Sequence, residues 1–316
     1  MARVLVTRHL PDGGLDPLVD AGHDVVQRRD DTPYSHEELV AVAGTVDALV
    51  CLLTDRIDEE VLRAGAARGL RVVANVAVGY DNIDVETARA LGVAVCNTPG
   101  VLDETTADLA FLLVLAACRL ASEAERDLRA GDWPGWGINQ YLGHDVHGAT
   151  LGLVGYGRIG RAVARRASGF GMQVLHHSRG DTGMPGYVPV LDQLLAEADI
   201  VSLHVPLNDA TRHLIGGREL SLMRSHAVLV NTARGPVVDE EALAEALHSG
   251  AILAAGIDVF EREPLVHPRL LSAPRAVLLP HIGSASRATR TQMARVAGQG
   301  VCDVLAGRMP ANLVGP

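Results

Sequence analysis

The clearest chemical signal in the sequence is a glycine-rich turn at residues 155–160 (GYGRIG). It follows an apolar stretch typical of a strand and leads into a helical stretch that starts at Arg161. In this G-x-G-x-x-G pattern Gly155 permits a tight turn, Gly157 lets the backbone approach a pyrophosphate, and Gly160 allows close helix packing. The free N–H groups at the helix N-terminus favour an anion, so the turn predicts dinucleotide binding. The alternative is that these glycines only make a tight connection.

The residues after the next predicted strand indicate which dinucleotide would bind. An acid about 20 residues beyond the first glycine would bond the ribose 2′-hydroxyl of NAD. The sequence has His177, Ser178 and Arg179 there instead. Because serine and arginine suit a 2′-phosphate, we expect a preference for NADP(H), with NAD(H) also possible. In the alternative, Arg179 is a solvated loop residue and Asp181 bonds the ribose.

Three charged side chains, Arg234, Glu263 and His281, follow three later predicted strands. Ligands of open α/β sheets bind beyond the carboxyl ends of the strands, so we expect these side chains to converge on one crevice. A guanidinium can hold a carboxylate and the adjacent carbonyl oxygen. An imidazole can give a proton to a developing alkoxide, and a carboxylate can orient that imidazole. The set therefore predicts reduction of a small 2-oxo acid, with hydride supplied by nicotinamide.

Each of these three residues also has an ordinary interpretation. The chain has 13 histidines, so any one of them taken alone is more often a surface or core residue than an acid. Arg234 could be a surface charge beside a helix, and Glu263 could belong to a solvated Glu-Arg-Glu turn. Their joint placement after strands of a predicted dinucleotide-binding sheet favours the catalytic interpretation.

The elements that must position these residues form two α/β series. Buried parallel strands appear as continuous Val, Leu and Ile runs, because helices cover both faces of the sheet. Between the two series, residues 101–121 predict a long apolar helix that continues to residue 130, where Gly131 stops it. A last helix is predicted over 288–306. The predicted strands are 3–7, 47–53, 71–76 and 93–96 in the first series, and 150–154, 172–176, 200–203, 228–231, 252–257 and 277–279 in the second.

Composition limits the class of protein. With 316 residues, 48% hydrophobic and 21% charged, the chain is long enough for two globular domains. A formal net charge of -10 gives no reason to expect nucleic acid or membrane partners. The four cysteines have no paired spacing, so we expect no metal site and no disulfide, and a cytoplasmic location. All 28 basic residues are arginine, which excludes catalysis by a lysine Schiff base.

Six motifs resemble the D-isomer-specific 2-hydroxyacid dehydrogenase family, and more narrowly its glyoxylate and hydroxypyruvate reductases. The match extends over almost the whole chain. One departure is local: residues 223–227 (MRSHA) replace the usual lysine-proline-glycine turn. The motifs are residues 76–84 (VAVGYDNID), 97–110 (NTPGVLDETTADLA), 152–166 (GLVGYGRIGRAVARR), 230–243 (VNTARGPVVDEEAL), 256–264 (GIDVFEREP) and 279–284 (LPHIGS).

The resemblance assigns the same three catalytic residues, Arg234, Glu263 and His281. It implies that the backbone at Val78 and Gly79 receives the substrate carboxylate, and Leu53 is expected to limit pocket size. Further cofactor contacts implied by the resemblance lie in the family motifs and after the central strand. They are Thr106, Arg158, Ile159, His204, Pro206, Thr232, Ala233, Asp258 and Gly283.

The resemblance also implies an architecture of two open, doubly wound parallel-sheet domains. A smaller flavodoxin-like substrate domain would comprise residues 1–99 and 288–316, and a Rossmann cofactor domain residues 100–287. A homodimer would form through the arm at residues 121–141, where Trp133 and Trp136 suit an interface or could pack on their own subunit. Two alternatives remain open. An NAD-dependent 3-phosphoglycerate dehydrogenase would need cations for a phosphate and often has a C-terminal regulatory domain, which we do not expect here. A dinucleotide-sensing, corepressor-like binding protein would carry a partner groove and disordered tails.

Overall fold

A computed structural model describes residues 1–315 and divides the chain into two compact units. Among the described residues, the first unit comprises residues 1–102 and 284–315, and the second comprises Asp103–Gly283. Each unit is built on its own parallel β-sheet. This confirms the predicted fold class of two open α/β domains.

The first unit has a five-stranded sheet with strand order β2-β1-β3-β4-β5. All neighbouring strands are parallel, and this is the flavodoxin-like order. Its strands are β1 (Arg3–Val6), β2 (Asp24–Gln27), β3 (Ala48–Cys51), β4 (Val72–Asn75) and β5 (Ala94–Cys96). Its helices are α1 (Asp16–Asp20), α2 (His36–Ala43), α3 (Glu59–Ala66), α4 (Val85–Ala90) and α12 (Arg287–Leu305).

Strand β2 is absent from the sequence prediction. It is an edge strand whose residues are all exposed or half-buried, and its apolar run is only Val25 and Val26 between two polar residues. The wholly buried strands β3 and β4, by contrast, carry the continuous apolar runs that the prediction relies on.

The second unit has a six-stranded parallel sheet with strand order β11-β10-β9-β8-β6-β7. Helices cover both faces of this sheet, over two separate apolar clusters. Its strands are β6 (Thr150–Val154), β7 (Gln173–His177), β8 (Ile200–Leu203), β9 (Val228–Asn231), β10 (Ala254–Ile257) and β11 (Ala276–Leu278). Its helices are α5 (Asp103–Cys118), α6 (Ala121–Ala130), α7 (Arg158–Ser168), α8 (Leu191–Glu197), α9 (Gly217–Leu222), α10 (Glu240–Ser249) and α11 (Pro268–Leu271).

The predicted continuous helix over residues 101–130 is wrong. Leu120 adopts a left-handed conformation, with φ of 50°, and separates α5 from α6. The two helices are bent by 66° at this break. Gly131 ends α6 in a left-handed C-cap, as predicted. Within residues 1–315 no single helix is long and apolar enough to cross a membrane, and α5 with α6 meets that test only as a bent pair.

Candidate active site

In the second sheet the chain adds strands outward in one direction from β6 and in the other direction from β8, so the strand order reverses between these two strands. Open α/β sheets bind their ligands at such a switch point. The glycine-rich turn joins β6 to α7 there. Gly155 has φ of +98°, and a Cβ on it would lie 2.6 Å from the carbonyl oxygen of His204. A Cβ on Gly160 would lie 2.3 Å from the carbonyl oxygen of Gly155. A side chain at either position would clash with a backbone carbonyl, so both positions require glycine even without a bound ligand.

Gly157 differs from the other two glycines of the turn. It precedes α7 with φ of -79° and ψ of -158°, and a Cβ built on it meets no heavy atom within 4 Å. Packing within the described residues therefore does not require glycine here, whereas close approach of a ligand would. Helix α7 starts at Arg158, so the first N–H groups of the helix, at Arg158, Ile159 and Gly160, have no partners within it. The open space and these donors fit a dinucleotide pyrophosphate.

The end of β7 carries the residues expected to distinguish NADP from NAD. Ser178 donates its hydroxyl to the carbonyl oxygen of Gly180 at 2.8 Å, and Arg179 is exposed. Asp181 is exposed as well, but its Oδ1 accepts the N–H of Gly183 at 2.8 Å. One oxygen of Asp181 thus accepts a hydrogen bond from its own turn, while Arg179 is the cation that follows the strand end in the sequence.

The segment after β8 borders the glycine turn through His204, whose carbonyl faces Gly155. His204 Nε2 lies 3.0 Å from the Ser202 hydroxyl, and burial lowers the pKa of His204 to about 4. The imidazole is therefore neutral at physiological pH. Two residues on, the carbonyl of Pro206 accepts the Thr211 hydroxyl at 2.6 Å, which fixes this loop.

His281 and Glu263 form a hydrogen-bonded pair beyond the ends of β11 and β10. His281 Nδ1 lies 2.8 Å from Glu263 Oε2, and both side chains are about one-quarter exposed. Glu263 Oε1 accepts the N–H of Phe260 at 3.0 Å. Burial raises the pKa of Glu263, but His281, the Phe260 amide and Arg234 together outweigh it, so the net pKa is lowered. The carboxylate is thus ionised, and it orients the imidazole so that Nε2 can exchange a proton with a substrate.

Asp258 holds the segment that carries His281. Its Oδ1 accepts the N–H of Ile282 and its Oδ2 accepts that of Gly283, both at 2.8 Å, while its carbonyl accepts the N–H of His281. These bonds sustain a left-handed conformation at His281, with φ of 53°, which is costly for a residue with a side chain. Burial raises the pKa of Asp258 to about 6, against the opposing effect of the two amides.

Arg234 follows β9 and is fixed by the strand's last residue. Asn231 accepts the N–H of Ala233 at 3.0 Å and donates its amide to the carbonyl of Arg234 at 2.9 Å. The Arg234 guanidinium donates to the carbonyl of Ala233 at 2.8 Å and is half-buried. Its charge contributes to the lowered pKa of Glu263, so the two residues belong to one electrostatic site.

Two threonines, one next to Arg234 in the chain and one in contact with the His281 segment, bear on whether a nicotinamide ring fits this site. Thr232 Oγ1 is buried without a hydrogen-bond partner among the described residues, and a buried hydroxyl normally has one. Thr106, on α5, donates to the carbonyl of Gly283 at 3.3 Å and so holds the His281 segment from the other side. The donor set at this edge therefore fits a nicotinamide group next to His281.

The residues expected to hold the substrate carboxylate belong to the first unit. The carbonyl of Val78 accepts the Asn97 amide and that of Gly79 accepts the Asn75 amide, both at 2.8 Å. A peptide is planar with its C=O and N–H opposed, so fixing the Val78 carbonyl also fixes the direction of the Gly79 N–H. Leu53 lies in the turn after β3 and is half-buried.

The comparisons with known proteins agree with this geometry. Residues 111–283 match the model of the NAD-binding domain of D-isomer specific 2-hydroxyacid dehydrogenases. The chain belongs to the D-isomer specific 2-hydroxyacid dehydrogenase family. A glyoxylate reductase of Korarchaeum cryptofilum is 48% identical over 321 residues, which cover 99% of this chain and 95% of the relative.

Two solved structures of this family are also similar to the chain. A glyoxylate reductase from Paecilomyes thermophila is 35% identical with a TM-score of 0.87, covering 99% of this chain and 98% of that protein. An NADPH-dependent glyoxylate/hydroxypyruvate reductase from Sinorhizobium meliloti, in complex with NADP and malonate, is 33% identical with a TM-score of 0.85. The alignment with it covers 99% of this chain and 96% of that protein.

Membership in the dehydrogenase family confirms the predicted class, an oxidoreductase that uses a nicotinamide dinucleotide. Within the second unit, the structure brings together two groups of predicted site residues at the carboxyl ends of its strands. The glycine turn, Ser178, Arg179 and His204 follow β6, β7 and β8, whereas Arg234, Glu263 and His281 follow β9, β10 and β11. Their individual roles remain predictions.

Sequence reasoning missed Asn231, and it named Asp258 and Thr106 only as cofactor contacts, not as residues that position the catalytic groups. Asn231 ends β9 and holds the turn that carries Arg234. A signal for it existed, because asparagine at a strand end commonly hydrogen-bonds the backbone of the following turn. The bracing of the His281 segment by Asp258 and Thr106 had no comparable signal, because those contacts join residues far apart in the chain.

Proposed function

We propose that this dehydrogenase reduces a small 2-oxo acid, glyoxylate or hydroxypyruvate, to the corresponding 2-hydroxy acid. The observation that carries the proposal is the 2.8 Å pair of His281 and Glu263 beside the charge of Arg234. An acid, its orienting carboxylate and a carboxylate-binding cation are the groups that the reduction requires. The names of the glyoxylate reductase relatives, at 43 to 48% identity, support the choice of substrate.

Each side chain has one task in this reaction. Arg234 binds the substrate carboxylate and polarises the neighbouring carbonyl oxygen. His281 donates the proton on Nε2 to that oxygen, and Glu263 stabilises the imidazolium and keeps Nδ1 occupied. A nicotinamide dinucleotide held by the glycine turn would supply the hydride. The roles implied by the family resemblance for Val78 and Gly79, backbone contacts to the substrate carboxylate, and for Leu53, a limit on pocket size, stay predictions.

We propose NADP(H) as the preferred cofactor. Arg179 supplies a cation after β7, the Ser178 hydroxyl would rotate from the Gly180 carbonyl to donate to the phosphate, and one oxygen of Asp181 is engaged by Gly183. A guanidinium binds a phosphate well, whereas it gains little from a ribose hydroxyl. The Sinorhizobium reductase, which is 33% identical, is NADPH-dependent, and this supports the choice. Gly155, Gly157, Gly160, His204 and Pro206 would line the remainder of the dinucleotide site.

We further propose a cytoplasmic homodimer that forms through the arm. This segment exposes several large apolar side chains, and aromatic residues are enriched in interfaces. They are Leu128, Trp133, Trp136 and Ile138, between 48% and 81% exposed. Trp136→Ser should shift the chain from dimer to monomer in light scattering after gel filtration, whereas a monomeric parent chain would refute the proposal.

Steady-state kinetics test the proposed reaction. The values of kcat/KM should be highest for glyoxylate or hydroxypyruvate with NADPH, and at least about tenfold lower with NADH, which corresponds to 1.4 kcal/mol. A preference for 3-phosphohydroxypyruvate with NADH would instead indicate a phosphoglycerate dehydrogenase. Dinucleotide binding without activity on any of the three acids would indicate a binding protein.

A further inference from the structure

A cluster of side chains that can bind a metal lies at the amino ends of strands in the second sheet. The catalytic groups follow the carboxyl ends of strands in the same sheet. His144 precedes β6, Asp199 directly precedes β8, and His226 precedes β9. One ligand atom from each, an imidazole nitrogen or a carboxylate oxygen, lies within 4.8 Å of the other two. The proposed reaction uses none of the three residues.

Backbone hydrogen bonds hold the carboxylate of this cluster in place. The Asp199 N–H donates to the carbonyl of Thr150, and Asp199 Oδ2 accepts the N–H of Thr150, both at 2.9 Å. The carbonyl of Asp199 accepts the N–H of Val228 at 3.0 Å. Asp199 Oδ1 is thereby directed toward His226, whose Nε2 lies 2.9 Å away.

The two imidazoles come from separate segments that are fixed next to each other. The N–H of His144 donates to the carbonyl of Cys118 at 2.8 Å, which ties its segment to the end of α5. The rings of His144 and His226 stack with centroids 4.9 Å apart and an angle of 24° between their planes. His226 is 45% exposed at the side chain and Asp199 is 14% exposed, so an ion from solution can reach the cluster.

We propose that His144, Asp199 and His226 bind a divalent transition-metal ion of the zinc class, with water as the fourth ligand. Two imidazoles and one carboxylate are a donor set that suits Zn²⁺, and not Mg²⁺ or Ca²⁺, which prefer oxygen ligands. With Zn–N bonds of about 2.0–2.1 Å, neighbouring ligand atoms of a tetrahedral site are roughly 3.3 Å apart. Side-chain movements of about 1.5 Å at most would therefore close the cluster around the ion.

Arg224 is the group that opposes metal binding. Its Nη1 lies 2.7 Å from Asp199 Oδ1, and its Nε donates to the carbonyl of Ala196 at 3.1 Å. The guanidinium is 42% exposed at the side chain and can move away from the carboxylate. Removing it should strengthen metal binding, because a like charge next to the ion is lost. This increase distinguishes the proposed site from a nonspecific histidine.

One ligand of this site comes from a turn with an unusual sequence. His226 lies in residues 223–227, the segment that departs from the lysine-proline-glycine turn usual in the family. A bound ion would join the segment that follows the arm to the starts of β8 and β9.

Isothermal titration of the purified chain with Zn²⁺ tests the proposal directly, independently of any catalytic activity. We expect one site per chain with a micromolar Kd. His144→Asn, His226→Asn and Asp199→Asn should each weaken it by about tenfold or more, and Arg224→Gln should strengthen it. Co²⁺ in place of Zn²⁺ should give the visible absorption bands of a four-coordinate ion.

Two control variants separate this site from other histidines. His147→Asn changes an exposed histidine in the same segment and should leave the Kd unchanged. His281→Asn removes the catalytic imidazole, which could bind Zn²⁺ together with Glu263, and should also leave the micromolar site intact. Wild-type affinity in either the His144 or the His226 variant, or no saturable binding by the parent chain, would overturn the proposal.

Discussion

Replacing Gly157 with alanine should weaken cofactor binding while leaving the fold intact. The added Cβ meets no heavy atom within 4 Å, and the φ of -79° is negative, so alanine does not have to enter the left-handed region. Alanine in place of glycine raises the free energy of unfolding by about 0.4–1 kcal/mol, because it lowers the conformational entropy of the unfolded chain. It lowers the free energy of unfolding by a similar amount, because alanine is a poorer N-cap. The free energy of unfolding should therefore change by less than about 1 kcal/mol.

The same methyl group would occupy the space in which a pyrophosphate must approach the backbone. Losing one hydrogen bond to a charged group costs about 1.5–3 kcal/mol, which raises the Kd roughly 10- to 150-fold. Titration of nicotinamide fluorescence measures the Kd for NADPH and NADH in each variant. Gly169→Ala, at the other end of α7 with φ of -66°, is the matched control and should bind like the parent. If Gly157→Ala binds the dinucleotide as tightly as the parent, the assignment of this turn is refuted.

Three further changes have defined outcomes. Arg234→Ala should lower kcat/KM for glyoxylate roughly 100- to 1,000-fold through lost charged hydrogen bonds, and a loss below tenfold would remove Arg234 from the substrate site. Arg179→Ala should raise the Kd for NADPH about tenfold and leave that for NADH unchanged, whereas equal effects on both would argue against a 2′-phosphate contact. Because burial lowers the pKa of His204 to about 4 from 6.5, the unfolded chain takes up this proton first as the pH falls. Between pH 6.5 and 4 the parent should thus lose roughly 2–3 kcal/mol more unfolding free energy than His204→Gln in urea titrations, and parallel curves would contradict this.

Much of the fold could be predicted because its strands are buried on both faces. β8 and β9, like β3 and β4, are wholly buried and consist mainly of apolar residues. Edge strand β2 lacks that pattern, since neither of its faces is fully covered. The break at Leu120 could not be predicted either, because neither Gly nor Pro marks it and a left-handed conformation is rare for leucine.

For the site, the sequence predicted where chemistry would lie but not what holds it there. The rule that ligands bind at strand ends, together with residue type, selected Arg234, Glu263 and His281. It could not predict the left-handed backbone at His281 or its support by Asp258, which is buried and distant in the chain. Residue type specifies the reaction, whereas the supporting hydrogen bonds depend on the folded chain.

Single-turnover kinetics of His281→Asn test the proposed role of His281 most directly. Enzyme preloaded with NADPH is mixed with excess glyoxylate, and the loss of nicotinamide absorbance is followed by stopped flow. We predict that oxidation of NADPH is slowed by about 100-fold or more while the Kd for NADPH stays within about twofold of the parent. Oxidation of NADPH at the parent's rate in this variant would contradict the account, because the proton would then come from another group.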